Sequence, residues 1–77
     1  MKLKVKYYGQ LIDLVNKEEE IININGKTVD SLNTKIIELY PTLSGFIFSI
    51  AQNDEIKSDN SFLEEGKIDI FPPFSGG

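Results

Sequence analysis

The residues of this chain whose chemistry is least ordinary lie at its C-terminal end, in Phe71-Pro72-Pro73-Phe74-Ser75-Gly76-Gly77. Two prolines fix φ near about −65° and remove two N–H donors, so the backbone must leave any sheet after Phe71 in a stiff, extended form. Beyond them Ser75, Gly76 and Gly77 carry almost no side-chain bulk, which lets a backbone enter a channel too narrow for residues with a Cβ. Composition leaves two readings of this segment. One is a frayed terminus, since disorder collects at chain ends. The other is a reactive terminus whose working group is the α-carboxylate of Gly77. A carboxylate is a poor acyl donor until it is activated, for instance as a mixed anhydride with adenylate from ATP, after which it can accept sulfur, an amine or a thiol. Nothing in the chain could perform that activation, so a partner enzyme would supply the nucleotide site and the nucleophile.

Elsewhere, absences narrow the choice. The chain has neither cysteine nor histidine. It therefore cannot form a disulfide, a thiolate nucleophile, a Ser-His-Asp triad, an iron–sulfur cluster or a zinc site of the usual ligands. Gly26-Lys27-Thr28 copies the end of a Walker A loop, but Ile21 stands where the first glycine is required, and the segment reads as a turn and a helix cap. The run Glu18-Glu19-Glu20 reads as a solvated loop, without the spaced Asp/Asn pattern of a metal site. Twelve acidic against eight basic side chains give a net charge of −4, and all eight basic residues are lysine. This balance argues against nucleic acid and anionic membranes, and the guanidinium fork that reads phosphate is missing. The N-terminal alternation of lysine with apolar residues never opens into the apolar stretch of a signal peptide or membrane span, so the cytoplasm is the expected compartment.

Seventy-seven residues make one domain with a small core, burying roughly 60% of the surface the unfolded chain exposes. Lys2 to Gly9 alternates strictly, with Leu3, Val5 and Tyr7 on one face and Lys2, Lys4 and Lys6 on the other, and predicts a strand. Those lysines keep one sheet face soluble or meet an acidic partner. Gln10 to Asn16 suits a turn or two of helix. Ile21 to Asn25 alternates again with Ile22 and Ile24 in phase, a second strand antiparallel to the first. Thr28 offers an N-cap hydroxyl, and Val29, Leu32, Ile36, Leu39 and Tyr40 recur at helical spacing until Pro41 stops the helix. Phe46, Phe48 and Ile50 share one face of a further strand, Asn53-Asp54 supplies a turn, and Glu55-Ile56-Lys57 a short return strand. After Phe62-Leu63 and a Glu64-Glu65-Gly66 turn, Lys67 to Phe71 forms a last strand with Ile68 and Ile70 inward. This order predicts an α+β roll, an antiparallel or mixed sheet with one main helix across one face. With the first and last strands adjacent in the middle, the domain would comprise residues 1–71 and the tail residues 72–77.

The ending Phe71-Pro72-Pro73-Phe74-Ser75-Gly76-Gly77 resembles the Pro-Pro-Val-Ser/Thr-Gly-Gly terminus of the small, sulfur-carrier subunits of molybdopterin synthase, which are ubiquitin-like β-grasp proteins. Lys4-Val5-Lys6-Tyr7-Tyr8-Gly9-Gln10-Leu11 is similar to that family's first strand, a pair of aromatics followed by a small residue and a short helix. Leu63-Glu64-Glu65-Gly66 resembles the turn before its last strand, so the likeness spans the chain. Two departures are Phe74, where the family usually has valine, and a Gly66-Lys67-Ile68 stretch shorter than the family's Gly-Asp-Glu-Val. The resemblance implies that a ubiquitin-activating-like adenylyltransferase uses ATP on the Gly77 carboxylate and that a sulfur donor enzyme converts it to a thiocarboxylate. It also implies that Ser75, Gly76 and Gly77 enter the active site of the large catalytic subunit and deliver sulfur to cyclic pyranopterin monophosphate. Phe71, Pro72, Pro73 and Phe74 would meet that partner, although Phe74 could instead fold back on its own sheet. No cofactor or metal would be bound by the chain itself. The alternatives that share a Gly-Gly end are a thiamine-pathway sulfur carrier and a ubiquitin-like protein modifier, and the plainest one is an interaction module with an inert tail.

Overall fold

The structure, a computed structural model, describes residues 1–72. Its elements run β1 (Lys2–Tyr7), α1 (Gln10–Val15), β2 (Glu19–Asn23), α2 (Val29–Leu39), a 3-10 turn (Pro41–Gly45), β3 (Ser49–Gln52), β4 (Glu55–Lys57) and β5 (Gly66–Phe71). The sheet order is β2-β1-β5-β3-β4. The two central strands, β1 and β5, are parallel, and every other neighbouring pair is antiparallel. This is the mixed sheet of a β-grasp roll, with the first and last strands side by side as the sequence predicts.

The central strands show why. In β1 the alternation of lysine with Leu3, Val5 and Tyr7 appears as alternate exposed and buried residues. Val5 lies across from Ile68, and Tyr7 from Ile70. These side chains meet Leu32 and Ile36 of α2 in one cluster that also takes in Leu11, Ile22, Leu43 and Ile50. Each such side chain removed from water contributes about 1.5–3 kcal/mol, so the face under α2 carries the stability. Thr28 caps α2 as predicted, its Oγ1 accepting from the Ser31 N–H at 3.2 Å. Gly26-Lys27-Thr28 is therefore a turn and a cap.

Several boundaries differ from those the sequence predicts, and so does the exposure of one side chain. The first strand ends at Tyr7 rather than Gly9, because Gly9 turns to φ 56° to open α1. The second strand starts earlier, at Glu19, so two of the three glutamates of the acidic run lie in the sheet: Glu19 opposite Lys6, and Glu20 opposite Val5. Phe46 and Phe48 precede β3 instead of forming it. Pro41, preset for a helical first turn, opens the 3-10 turn, and both phenylalanines pack half-buried against the core from the connection that follows. Leu39, expected on the apolar helix face, is 45% exposed. The Asn53-Asp54 turn holds both residues at positive φ, 54° and 63°, the geometry that matches the twist of a tight hairpin.

Candidate functional site

The last described residues, Phe71 and Pro72, stand at the end of β5, and the groups around them come from three elements. Phe71 closes β5 opposite Ser49, on the sheet face away from α2. Its ring stacks on that of Tyr8, with centroids 4.6 Å apart and planes at 20°. Tyr8 follows β1 directly, and its hydroxyl donates to Asp69 Oδ1 at 2.9 Å, two residues before Phe71 on the same face. That hydrogen bond, helped by desolvation, raises the Tyr8 phenol above its ordinary pKa. Lys6 adds a cation 5.3 Å from the Tyr8 ring centroid.

Gly9 completes the corner. Its φ of 56° is one that residues with a Cβ rarely adopt, and a Cβ there would meet Pro72 Cγ at 3.0 Å. The first proline of the tail is thus seated against the β1–α1 corner and is half-buried. Next to Phe71 and Asp69 on the same sheet face, Ala51, Asp54 and Ile56 complete a shallow depression of about 290 Å³. Ile56 is 62% exposed, so the face beside the tail exit is partly apolar.

Of the residues the sequence singles out, Phe71 and Pro72 are brought together here, on one corner of the open sheet face. Pro73, Phe74, Ser75, Gly76 and Gly77 lie outside the described residues. Three contributors were not picked out as part of the site. Asp69 reads as an ordinary outward strand residue, and only its register identifies it as the acceptor for Tyr8. Tyr8 and Gly9 did carry a signal, an aromatic pair followed by a small residue.

A second polar cluster holds the opposite face together. Glu20 Oε2 accepts from the hydroxyls of Tyr7 at 2.6 Å and Tyr40 at 2.5 Å, and Lys17 Nζ stands 3.4 Å from Oε1. Burial alone would raise the Glu20 carboxyl, but the two phenol hydrogen bonds and the Lys17 charge outweigh it and hold the group below its ordinary value. Burial and the same carboxylate push the Tyr7 and Tyr40 phenols up. Tyr7 and Tyr40 also meet edge-on, with centroids 6.3 Å apart. The cluster ties β1, β2 and the end of α2 into one unit and lies on the other side of the sheet from Tyr8.

Comparison with known proteins agrees with this frame. The family model described as the ThiS family matches residues 5–77. A protein of Caenorhabditis briggsae named molybdopterin synthase sulfur carrier subunit is 30% identical over 83 aligned residues, covering 100% of this chain and 99% of that protein. A structure from Pyrococcus furiosus, assigned as molybdopterin converting factor subunit 1, superposes with a TM-score of 0.86 at 26% identity, over 96% of this chain and 99% of that one. A chain from the Helicobacter pylori complex of molybdopterin-converting factor subunits 1 and 2 aligns over the full length of both chains, with a TM-score of 0.66 at 25% identity. With the family model matched from the first strand through the Gly-Gly end, the chain belongs to the ThiS family.

Proposed function

We propose that this chain is the sulfur-carrying small subunit of a molybdopterin synthase. The observation that carries this reading is the end-to-end match, at 30% identity, to a curated relative named for that role. The Helicobacter pylori complex supports a large-subunit partner. In the proposed cycle a ubiquitin-activating-like adenylyltransferase joins the Gly77 carboxylate to AMP from ATP, releasing pyrophosphate. Sulfur at the level of sulfide, delivered by a donor enzyme, displaces AMP and leaves a thiocarboxylate. Ser75, Gly76 and Gly77 then enter the large subunit's active site, and cyclic pyranopterin monophosphate takes the sulfur, the carboxylate being restored by water. Phe71, Pro72, Pro73 and Phe74 form the part of the tail that meets the partner. The chain itself is non-catalytic, as a sequence without cysteine or histidine suggests, and it works in the cytoplasm without a bound cofactor.

The test is mass spectrometry of the C-terminal peptide after incubation with ATP and lysate of the host. Exchange of one oxygen for sulfur at Gly77 is the expected result. An unchanged carboxylate, in a lysate competent to activate a known carrier, overturns the reading. Conjugates through Gly77 to lysines identify a protein modifier instead. Co-purification with a thiazole synthase, rather than with a molybdopterin synthase large subunit, assigns the sulfur to the thiamine pathway.

A further inference from the structure

We infer that Tyr8 is a positioning residue that, locked by Asp69 and backed by the Gly9 corner, sets the direction in which the tail leaves β5. The inference rests on the proposed role of the Gly77 carboxylate but is argued from different contacts. Two contacts meet Phe71 and Pro72 themselves, and two more hold Tyr8. The Tyr8 ring stacks on Phe71 at 4.6 Å. Its hydroxyl is tied to Asp69 at 2.9 Å, and Lys6 lies 5.3 Å from its ring centroid. Pro72 sits so close to Gly9 that a Cβ there would come within 3.0 Å of Cγ.

The core does not need this arrangement. Tyr8 and Phe71 are both half-buried and outside the cluster of buried residues under α2. Tyr7, one residue earlier, fills the core, while the Tyr8–Asp69 hydrogen bond lies on the outer sheet face. What the contacts do fix is the plane of Tyr8 and with it the ring of Phe71, while Pro72 is held beside them against Gly9. A polyproline segment advances about 3.1 Å per residue and keeps its heading for several residues. Fixing that heading beforehand lowers the ordering cost that would otherwise fall on insertion into a partner's channel.

The absence of cysteine makes the heading measurable in the full chain. Nitroxide labels on Glu38→Cys, exposed on α2, and Ser75→Cys report the distance distribution between the helix and the tail by pulsed electron spin resonance. Tyr8→Ala is expected to widen that distribution about twofold. Asp69→Ala, which removes only the lock, is expected to widen it less. Asp69→Asn, which keeps an acceptor for the phenol, is expected to restore the parent width, a rescue that a purely structural loss would not show. Equal widths in the parent, Tyr8→Ala and Asp69→Ala overturn the inference, and Asp69→Ala decides it alone if Tyr8→Ala does not fold. Without labels, Tyr8→Ala is expected to lower thiocarboxylate formation roughly tenfold at limiting carrier concentration, with recovery at saturation. The two readings fail separately. A parent chain that takes up no sulfur, with widths that still respond to Tyr8, sinks the carrier reading alone. Full sulfur uptake with unresponsive widths sinks the guide alone.

Discussion

Glu20 lies in a run of three glutamates that composition assigns to solvent, yet it is the group on which Tyr7 and Tyr40 both close. Its folded carboxyl is held below the ordinary value of 4.5. A depressed folded pKa means that the unfolded chain takes up the proton first as the pH falls. The stability Glu20 contributes is therefore complete above the ordinary value and is lost as pH falls from there through the folded value. Glu20→Gln keeps an acceptor for one phenol but loses the charge. It is expected to cost about 1–2 kcal/mol at neutral pH in denaturant titrations. The gap between the two proteins should shrink as the pH falls through the folded value, where the parent carboxylate takes up its proton. A gap that stays constant across that range would mean the phenols do not depend on the charge.

At the scale of elements, the loop before β5 is held by one buried amide. Gln52, at the end of β3, donates from Nε2 to the Glu64 carbonyl at 2.7 Å and accepts the Glu64 N–H on Oε1 at 2.9 Å. This bidentate clasp fixes the Glu64-Glu65-Gly66 turn and so the entry of the strand that carries the tail. Gln52→Ala leaves two backbone groups of Glu64 without a protein partner and is expected to cost about 1–3 kcal/mol. Amide hydrogen exchange should quicken first at Glu64, ahead of the core strands. Gln52→Glu, which cannot donate to the carbonyl when ionised, should give most of the same loss.

The same scale shows what could be read in advance. Strands β1 and β5, the Thr28 cap, helix α2 and the Asn53-Asp54 turn were legible because each is specified locally, by side-chain period or by turn chemistry. The start of β2 was not. Charged residues disfavour strands on average, and only the pairing of Glu19 with Lys6 and the phenols around Glu20 override that preference. Phe46 and Phe48 alternate like a strand, but Pro41 opens a 3-10 turn ahead of them and pairing begins only at Ser49. At the site, Phe71 and Pro72 stood out by type. Asp69 did not, since its role comes from a partner 61 residues away in sequence.

For the whole molecule, fold and proposed function are divided along the chain. Among the described residues the core cluster runs from Leu3 to Ile70, and the described body is compact, with a Cα radius of gyration of 11.5 Å. The α-carboxylate that the proposed chemistry uses is outside that range. Removing Ser75, Gly76 and Gly77 is therefore expected to change unfolding stability by less than about 0.5 kcal/mol while abolishing sulfur uptake. Truncation after Ile70 should behave differently. It removes the Phe71 ring stacked on Tyr8 and the pairing of Phe71 with Ser49, and an aromatic pair alone is worth about 0.5–1.5 kcal/mol beyond its buried area. Denaturant unfolding of the two truncations, beside the full chain, separates a tail that only carries a reactive group from one that props the domain. If the shorter deletion loses as much stability as the longer, the last three residues belong to the fold, and a narrow channel could not admit them without first unpacking the body.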